Sequence, residues 1–509
     1  MNQQDVTLQW LLGDIAPELA DLRVRNVVRD SRHVQPGDLF VAISGTQTDG
    51  HEHVCEAVTR GAVAVVASKT TDAVSVPQII VPCSMTAFAR LTMKLYAGGT
   101  PPLCIAGITG TNGKTTSTWI LRSILRSAGF QTGLLGTIHH SDGVVSQPST
   151  MTTPSPEELA VRMRSMLDAG TTHCVMEVSS HALAQNRCVG LRLSAAAITN
   201  VTQDHFDYHG TVEAYRNAKV KISELLHTDA PLLLNLNDPG CRYLLHHFSL
   251  QMPVTYGVDN PDAELSARIL NQTHRSQRIQ LKLAQGDAQV RLRLIGRHNV
   301  ENALVAAGMA EQLGVPLKRI VSGLESIGSI PGRLERIDEG QSFQLLVDYA
   351  HTPDALSRCI DTVTDFAPGR VICVFGAGGN RDASKRPLMA KAAMKADVAI
   401  VTSDNPRSEN PVDIIRQIVA GFDRNMQYEI RMDREEAIAR AIDLAEPGDV
   451  VLIAGKGHET TQEIGTHTFP FDDREAARSL IHRKLTASGR HQTLAPREST
   501  FADRTTTSA

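Results

Sequence analysis

The chain has 509 residues, with 51 Lys plus Arg against 55 Asp plus Glu, so its formal net charge is only −4. That balance argues against a general nucleic-acid or membrane-surface binder, and no apolar run reaches the length of a bilayer-spanning helix. The length suits about three domains at roughly 150 residues each, and the 42% hydrophobic content suffices for their cores. Met1 to Asp5 carries no basic stretch ahead of an apolar one, so no secretory signal is expected and the location expected is cytoplasmic. Eight cysteines without a CxxC pair read as buried, reduced thiols rather than as disulfides or a zinc site.

In chain order, residues 38–43 form a short strand and 85–96 a helix, within a first domain expected over 1–99. Gly98-Gly99-Thr100-Pro101-Pro102 breaks both kinds of element and marks its end. A second domain, 100–330, alternates apolar runs at 103–108, 174–178, 195–199 and 232–234 with amphipathic helices at 115–128 and 156–169. That alternation predicts a parallel sheet covered on both faces. Period-two patterning over 278–283 and 290–294, about a turn at Gly286-Asp287, predicts an attached antiparallel hairpin. After Gly328-Ser329-Ile330-Pro331-Gly332, strands at 344–347, 371–375, 398–402 and 450–454 separated by helices predict a doubly wound domain over 331–487. The Ser, Thr, Arg and Pro-rich tail, 488–509, has no apolar period and reads as disordered.

The strongest local signal is Gly107-Ile108-Thr109-Gly110-Thr111-Asn112-Gly113-Lys114-Thr115-Thr116, between an apolar strand and a helix. Glycines there let backbone N–H groups approach phosphate oxygens, and the helix N-terminus adds partial positive charge. Lys114 is placed to reach β- and γ-phosphates, and Thr115 to give a hydroxyl to Mg²⁺. Ile108 stands where the general phosphate-loop pattern has its first glycine. Glu177 ends an apolar strand and so projects from the carboxyl edge of the sheet, where ligands of such folds collect. On their own, His205 reads as part of a polar loop, Lys219 as a solvated helix charge and Arg407 equally as a surface ion-pair residue. The Gly376-Ala377-Gly378-Gly379 run lacks the acidic residue that a dinucleotide site would need further on.

The Thr-Gly-Thr-Asn-Gly-Lys-Thr loop resembles that of the Mur ligase family, which includes the folylpolyglutamate synthetases. Further matching motifs follow in the family's order: Thr152-Thr153-Pro154, Glu177-Val178-Ser179-Ser180-His181, Thr199-Asn200-Val201, Asp204-His205-Phe206-Asp207-Tyr208-His209-Gly210 and Gly296-Arg297-His298-Asn299. Pro331-Gly332-Arg333-Leu334-Glu335, Asp348-Tyr349-Ala350-His351-Thr352-Pro353, Asp404-Asn405-Pro406-Arg407 and Gly455-Lys456-Gly457-His458-Glu459 complete the set, over nearly the whole chain.

The resemblance implies an α/β fold: a small N-terminal α/β domain, a central P-loop-type, mainly parallel sheet and a C-terminal Rossmann-like domain. It implies an ATP- and Mg²⁺-dependent peptide ligase of cell-wall precursor synthesis, a monomer with no nucleic-acid or membrane partner. Within the family the motifs are most similar to those of the members that add meso-2,6-diaminopimelate to UDP-N-acetylmuramoyl-L-alanyl-D-glutamate through an acyl phosphate. ATP would lie on Gly110, Thr111, Asn112, Gly113, Lys114, Thr115 and Thr116. Lys114, Glu177, His205 and Lys219 would be catalytic, with Thr115, Glu177, His205 and an N-carboxylated Lys219 as Mg²⁺ ligands. A carbamate turns a cation into an oxygen donor suited to a hard metal.

Ser31, Thr46, Gln47 and Thr48 would touch uridine, and Thr152, Thr153, Ser179, Gln185 and Arg187 the muramoyl peptide and diphosphate. Many relatives have Asn where this chain has Met151, so a polar contact from position 151 is not implied. Arg381, Asp404, Asn405, Pro406, Arg407, Gly455 and Glu459 would bind diaminopimelate. Arg407 would pair with its distal carboxylate and Glu459 with its distal ammonium. Two other readings stay open: lysine or folate chemistry on the same scaffold, disfavoured by Arg407 and the uridine-type segment, and a nucleotide-gated regulatory protein without ligation.

Overall fold

Three sheets carry the chain in succession. In this computed structural model the described residues are 5–487 apart from 46–47, 73, 203, 205, 249–251 and 424–425, with backbone alone at 206–207. Thr46, Gln47, His205 and the tail at 488–509 therefore lie outside the described residues.

The first sheet is parallel throughout, running Val27–Val28, Leu39–Val41, Ala64–Ala67 and Gln78–Ile80. Leu39, Val41, Ala64 and Val66 on one face pack with Phe88 and Leu91 of the helix Ser84–Ala97. Phe40, Ala42, Val65 and Ala67 on the other face pack with Val54 and Ala57. Apolar residues at both parities suit a strand buried on both sides.

The central sheet has eleven strands. Its middle six pairings are parallel, from Thr132–Leu135 through His173–Glu177, Cys104–Thr109, Ala195–Ile198, Leu232–Asn235 and Val254–Val258 to Leu265–Gln272. Both ends turn antiparallel: His139–Ser141 and Ser146–Pro148 at one, Gln277–Leu283 and Gly286–Leu292 at the other. The expected hairpin is present, but its turn is Ala284-Gln285, and Gly286 and Asp287 already pair with Leu283 and Lys282. The buried Glu311 fixes this register by accepting the Ala284 and Gln285 N–H groups at 3.1 and 2.7 Å. Two backbone donors tied to one carboxylate outweigh the turn preference of Gly-Asp.

The third sheet pairs Glu335–Ile337 antiparallel with Gln344–Asp348, then continues parallel through Val450–Ala454, Val371–Phe375, Val398–Val401 and Tyr428–Ile430. Separate apolar clusters cover its two faces, the doubly wound arrangement that alternating elements predict. All eight cysteines are free thiols; Cys55 and Cys83 are exposed, which corrects the expectation that all are buried. Cys55 is the second residue of the helix Val54–Thr59 and Cys83 the N-cap of Ser84–Ala97, and neither belongs to the apolar clusters on the first sheet's two faces.

Candidate active site

The site lies where the carboxyl edges of the second and third sheets face each other, around a cavity of about 480 Å³. Cys104–Thr109 is flanked by His173–Glu177 on one side and Ala195–Ile198 on the other, with Glu177 opposite Ile108. The loop after Thr109 therefore emerges between Glu177 and the Thr199-Asn200 pair. Gly110 and Gly113 have φ of +151° and +85°. A Cβ at Gly110 would overlap the Thr199 hydroxyl, and one at Gly113 the Asn302 amide oxygen. Only glycine lets this loop curl so tightly between its neighbours.

Asn200 pins the loop by accepting the Asn112 N–H at 2.8 Å, and Thr199 Oγ1 donates to the Asn112 carbonyl at 2.6 Å. Lys114 folds its ammonium back onto the Gly110 and Thr111 carbonyls at 2.8 and 2.9 Å. Burial lowers its pKa, opposed by Glu177 and Asp204 and assisted by Arg333. Thr115 and Thr116 open the helix Lys114–Ser127, and Thr111 to Thr116 all line the cavity.

Glu177 is fully buried and accepts three bonds: from Thr115 Oγ1 at 2.9 Å, and from the Thr137 N–H and Oγ1 at 2.8 and 3.0 Å. Arg333, from the link into the third sheet, donates Nη2 to Thr115 Oγ1 at 3.0 Å. Its guanidinium lies 4.7 Å over the Tyr349 ring, and its Nε is buried without a hydrogen-bond partner. An orphaned cationic donor beside a phosphate-type loop suits an anion.

Lys219, near the end of the helix Val212–Val220, is almost fully buried, with Nζ 4.4 Å over the Tyr215 ring. Tyr215 in turn bonds Thr111 Oγ1 at 2.9 Å, which ties Lys219's helix to the loop. Burial, and after it the charge of Lys114, pushes the Lys219 pKa well below the ordinary lysine value. Such an amine is neutral, and so nucleophilic, at a lower pH than a surface lysine. Among the described residues no three His, Cys, Asp or Glu side chains cluster as a metal site. Thr115 and Glu177, 2.9 Å apart, would themselves give an ion two oxygen donors, a type that suits Mg²⁺.

Thr152 bonds Thr137 at 3.1 Å and lines the same cavity. Thr153 accepts the Ser179 N–H at 2.9 Å, and Arg187 donates to the Thr153 carbonyl at 3.3 Å and to Gln185 Oε1 at 2.8 Å. These five expected residues form one connected ledge. Met151 places its thioether 3.8 Å from Arg187 Nη1, a weak acceptor in place of an amide. Ser31 and Thr48 lie apart, in the turns that follow the first sheet's strands Val27–Val28 and Leu39–Val41: Ser31 donates to Glu56 at 2.8 Å, and the Thr48 carbonyl accepts the Gly45 N–H at 2.9 Å. An Arg29–Glu157 ion pair at 2.9 Å joins that sheet to the central one.

Four strand ends of the third sheet converge on the opposite wall. Tyr349 to His351 follow Gln344–Asp348, Gly376 to Arg381 follow Val371–Phe375, Asp404 to Arg407 follow Val398–Val401, and Gly455 to Glu459 follow Val450–Ala454. Asn405 Nδ2 donates to Glu459 Oε2 at 2.8 Å. Lys456, fully buried, donates to Asn405 Oδ1, Glu459 Oε2 and the Thr461 carbonyl at 3.1, 3.2 and 2.6 Å. Burial raises the Glu459 pKa, against the pull of Lys456. Asp404 lies 4.0 Å from Arg434, whose guanidinium grips Asp473 at 2.7 and 2.8 Å. Pro406 is fixed by close approach, because a Cβ at Gly379 would overlap its carbonyl. Arg381 is exposed at the rim.

Sequence reasoning missed Arg333, Thr137 and Lys456 as site residues. Arg333 and Lys456 stand inside motifs that carried the resemblance, whereas nothing in the sequence points to Thr137. His351 and His298 also line the cavity, with pKa values lowered to about 4 by burial and then by Lys385 and Arg358 respectively.

Three family profiles match the chain: "Mur ligase family, catalytic domain" over 23–90, "Mur ligase middle domain" over 108–310 and "Mur ligase, glutamate ligase domain" over 332–457. The UDP-N-acetylmuramoyl-L-alanyl-D-glutamate--2,6-diaminopimelate ligase of Geobacillus thermodenitrificans (strain NG80-2) is 44% identical over 463 residues, covering 89% of this chain and 94% of that protein. The Listeria monocytogenes serotype 4b (strain F2365) protein of the same name is 40% identical over 470 residues, covering 91% and 95%. Among solved structures, a ligase of that name superposes with a TM-score of 0.70 at 30% identity, covering 94% of this chain and 99% of the other.

Proposed function

The chain belongs to the Mur ligase family, and from that premise we propose that it joins meso-2,6-diaminopimelate to the D-glutamate of UDP-N-acetylmuramoyl-L-alanyl-D-glutamate at the expense of ATP. One observation carries the reading: the phosphate-type loop and, on the opposite wall, Arg407 and Glu459 line a single cavity. Activation of a carboxylate and its capture by an amine need those two sites within reach of each other.

ATP, with Mg²⁺, would supply the phosphoryl group that converts the carboxylate to an acyl phosphate, from which the incoming amine displaces phosphate. The chain's residues arrange the rest. Gly113 to Thr116 offer backbone N–H groups and the Lys114 ammonium to phosphate oxygens, since the Thr111 and Asn112 N–H groups are already held by Asn200, and Thr115 and Glu177 would hold Mg²⁺. His205 and a carboxylated Lys219 are the further ligands that we assign on the resemblance. Arg333 brings a cation to the same point from the opposite wall. The ledge of Thr152, Thr153, Ser179, Gln185 and Arg187 suits the muramoyl peptide and diphosphate, with Ser31 and the 46–48 segment left to the uridine.

On the acceptor side, Arg407 suits the distal carboxylate and Glu459 the distal ammonium, with Asp404, Asn405, Pro406, Arg381 and Gly455 shaping the pocket. Closure of the third sheet's wall over the central one would exclude water from the acyl phosphate, which otherwise hydrolyses. We place the domain divides at 99/100 and 330/331, between the three sheets, and take the working unit to be a cytoplasmic monomer.

Phosphate release from ATP, Mg²⁺ and the UDP-muramoyl dipeptide, compared with meso-diaminopimelate, L-lysine and no amine, tests the proposal. Release strongly favouring diaminopimelate, with a product of the matching mass, is expected. Equal release with lysine overturns the acceptor assignment, and ATP binding without amine-dependent release overturns ligation.

A further inference from the structure

We propose that Glu463 is the resident counter-anion of Arg407, a carboxylate that the acceptor's distal carboxylate has to displace, and that it thereby sets the acceptor's KM. The inference rests on Arg407 being the acceptor-carboxylate site.

Arg407 has a left-handed backbone, φ +52°, held from one side by the hairpin Thr461–Ile464 and His467–Pro470. Its N–H donates to the Glu463 carbonyl at 3.0 Å, and its carbonyl accepts the Gly465 N–H at 2.7 Å. Both are backbone bonds, so the turn is clamped whatever side chain stands at 463. The Glu463 side chain adds something separate: Oε2 lies 2.7 Å from Arg407 Nε. Nη1 donates to the Gly379 carbonyl at 2.9 Å.

A carboxylate grips a guanidinium best by two parallel bonds, and the Nε–Nη2 edge is one of the edges that offer them. Glu463 reaches Nε through one oxygen, a charge contact that is not in line with the N–H, so that edge keeps its hydrogen-bonding capacity. The guanidinium has little room to retreat, because Nη1 lies 3.1 Å from where a Cβ at Gly378 would be. Exchange therefore falls to Glu463, whose side chain is 46% exposed against 26% for Arg407.

An ion pair so open to water contributes little, so an incoming bidentate carboxylate displaces it readily. The neighbouring Arg386–Glu409 pair behaves differently. There the arginine is buried and also donates to Gln417 and the Gly378 carbonyl, which makes that pair part of the frame. Glu463 thus keeps Arg407 from standing as a bare cation between turnovers, and weakens acceptor binding by the strength of the pair it forms.

The test is steady-state kinetics of the full chain at saturating ATP and UDP-muramoyl dipeptide, titrating meso-diaminopimelate. Glu463→Gln is expected to lower the acceptor KM about two- to fivefold, the size of an exposed ion pair's contribution. The kcat and the KM values for ATP and nucleotide-sugar should stay as in the wild type. Glu463→Asp should retain the wild-type acceptor KM, and in an Arg407→Ala background Glu463→Gln should change nothing. An acceptor KM that is unchanged or raised in Glu463→Gln overturns this inference alone. Wild-type protein that ignores diaminopimelate overturns the acceptor reading and this inference with it.

Discussion

Arg333 Nη2 donates to Thr115 Oγ1 at 3.0 Å, joining residues 218 positions apart and closing the third sheet onto the phosphate-type loop. The same hydroxyl donates to Glu177, so Thr115 stands between a cation and an anion. The unpartnered, buried Nε of Arg333 gives the guanidinium capacity for one more acceptor. Replacing Arg333 by Ala should lower turnover about 10²- to 10³-fold, as expected for a donor aimed at developing charge. Lysine at that position should restore only part of it. Acceptor KM should move little, and equal kcat in wild type and Arg333→Ala would reduce the residue to a hinge contact.

Lys219 carries the next prediction. A buried amine whose pKa is pushed down is a good nucleophile towards CO₂, and a carbamate there would present oxygens to the metal. Protein equilibrated with ¹³C-bicarbonate should give a carbamate resonance that is missing from Lys219→Arg. Turnover of that variant should fall about a hundredfold or more, the loss of several kcal/mol of charge stabilisation. Wild-type turnover without any carbamate signal would leave Lys219 as a buried amine only.

The alternating plan was legible from apolar periodicity where parallel strands are buried on both faces and read as continuous runs, but Thr132–Leu135, Val254–Val258, Leu265–Gln272, Glu335–Ile337 and Tyr428–Ile430, interrupted by Gly, Thr or charged residues, were not. The misplaced turn at Gly286-Asp287 shows where such reading stops. Glu311, twenty-odd positions away, overrides the local turn preference, and no local pattern announces it. The phosphate-type loop was legible because its chemistry is continuous in sequence. Lys219 was not: nothing about a helix lysine says that its neighbours will bury it, and only the resemblance singled it out. Thr137 was invisible for the same reason, since its partner Glu177 lies 40 positions on.

Gly455 tests the acceptor wall sterically. It has φ +118°, and a Cβ there would lie 2.5 Å from Asp404 Oδ2. Gly455→Ala should push Asp404 away from Arg434 and tilt the Asp404-Asn405-Pro406-Arg407 turn. The acceptor KM should rise at least about tenfold, the loss of roughly 1.4 kcal/mol, while ATP affinity, set on the far wall, stays as in the wild type. Equal acceptor KM values would show that Asp404 relaxes without disturbing the pocket.

The pH dependence of acceptor binding follows from Glu459. Burial raises its pKa above the ordinary glutamate value, with Lys456 and Asn405 opposing. A folded-state pKa above the unfolded one means that the folded chain holds this proton more tightly. Glu459 therefore disfavours folding progressively as pH rises through the ordinary value to the raised one, the cost of ionising it in place. Binding runs the other way, because only the carboxylate pairs with the acceptor's distal ammonium. As pH falls towards and through the raised pKa, the acceptor KM should rise in the wild type. In Glu459→Gln it should be high and flat over the same range, and thermal stability should lose its slope there. Parallel KM slopes in the two proteins would place the titrating group elsewhere and remove Glu459 from ammonium recognition.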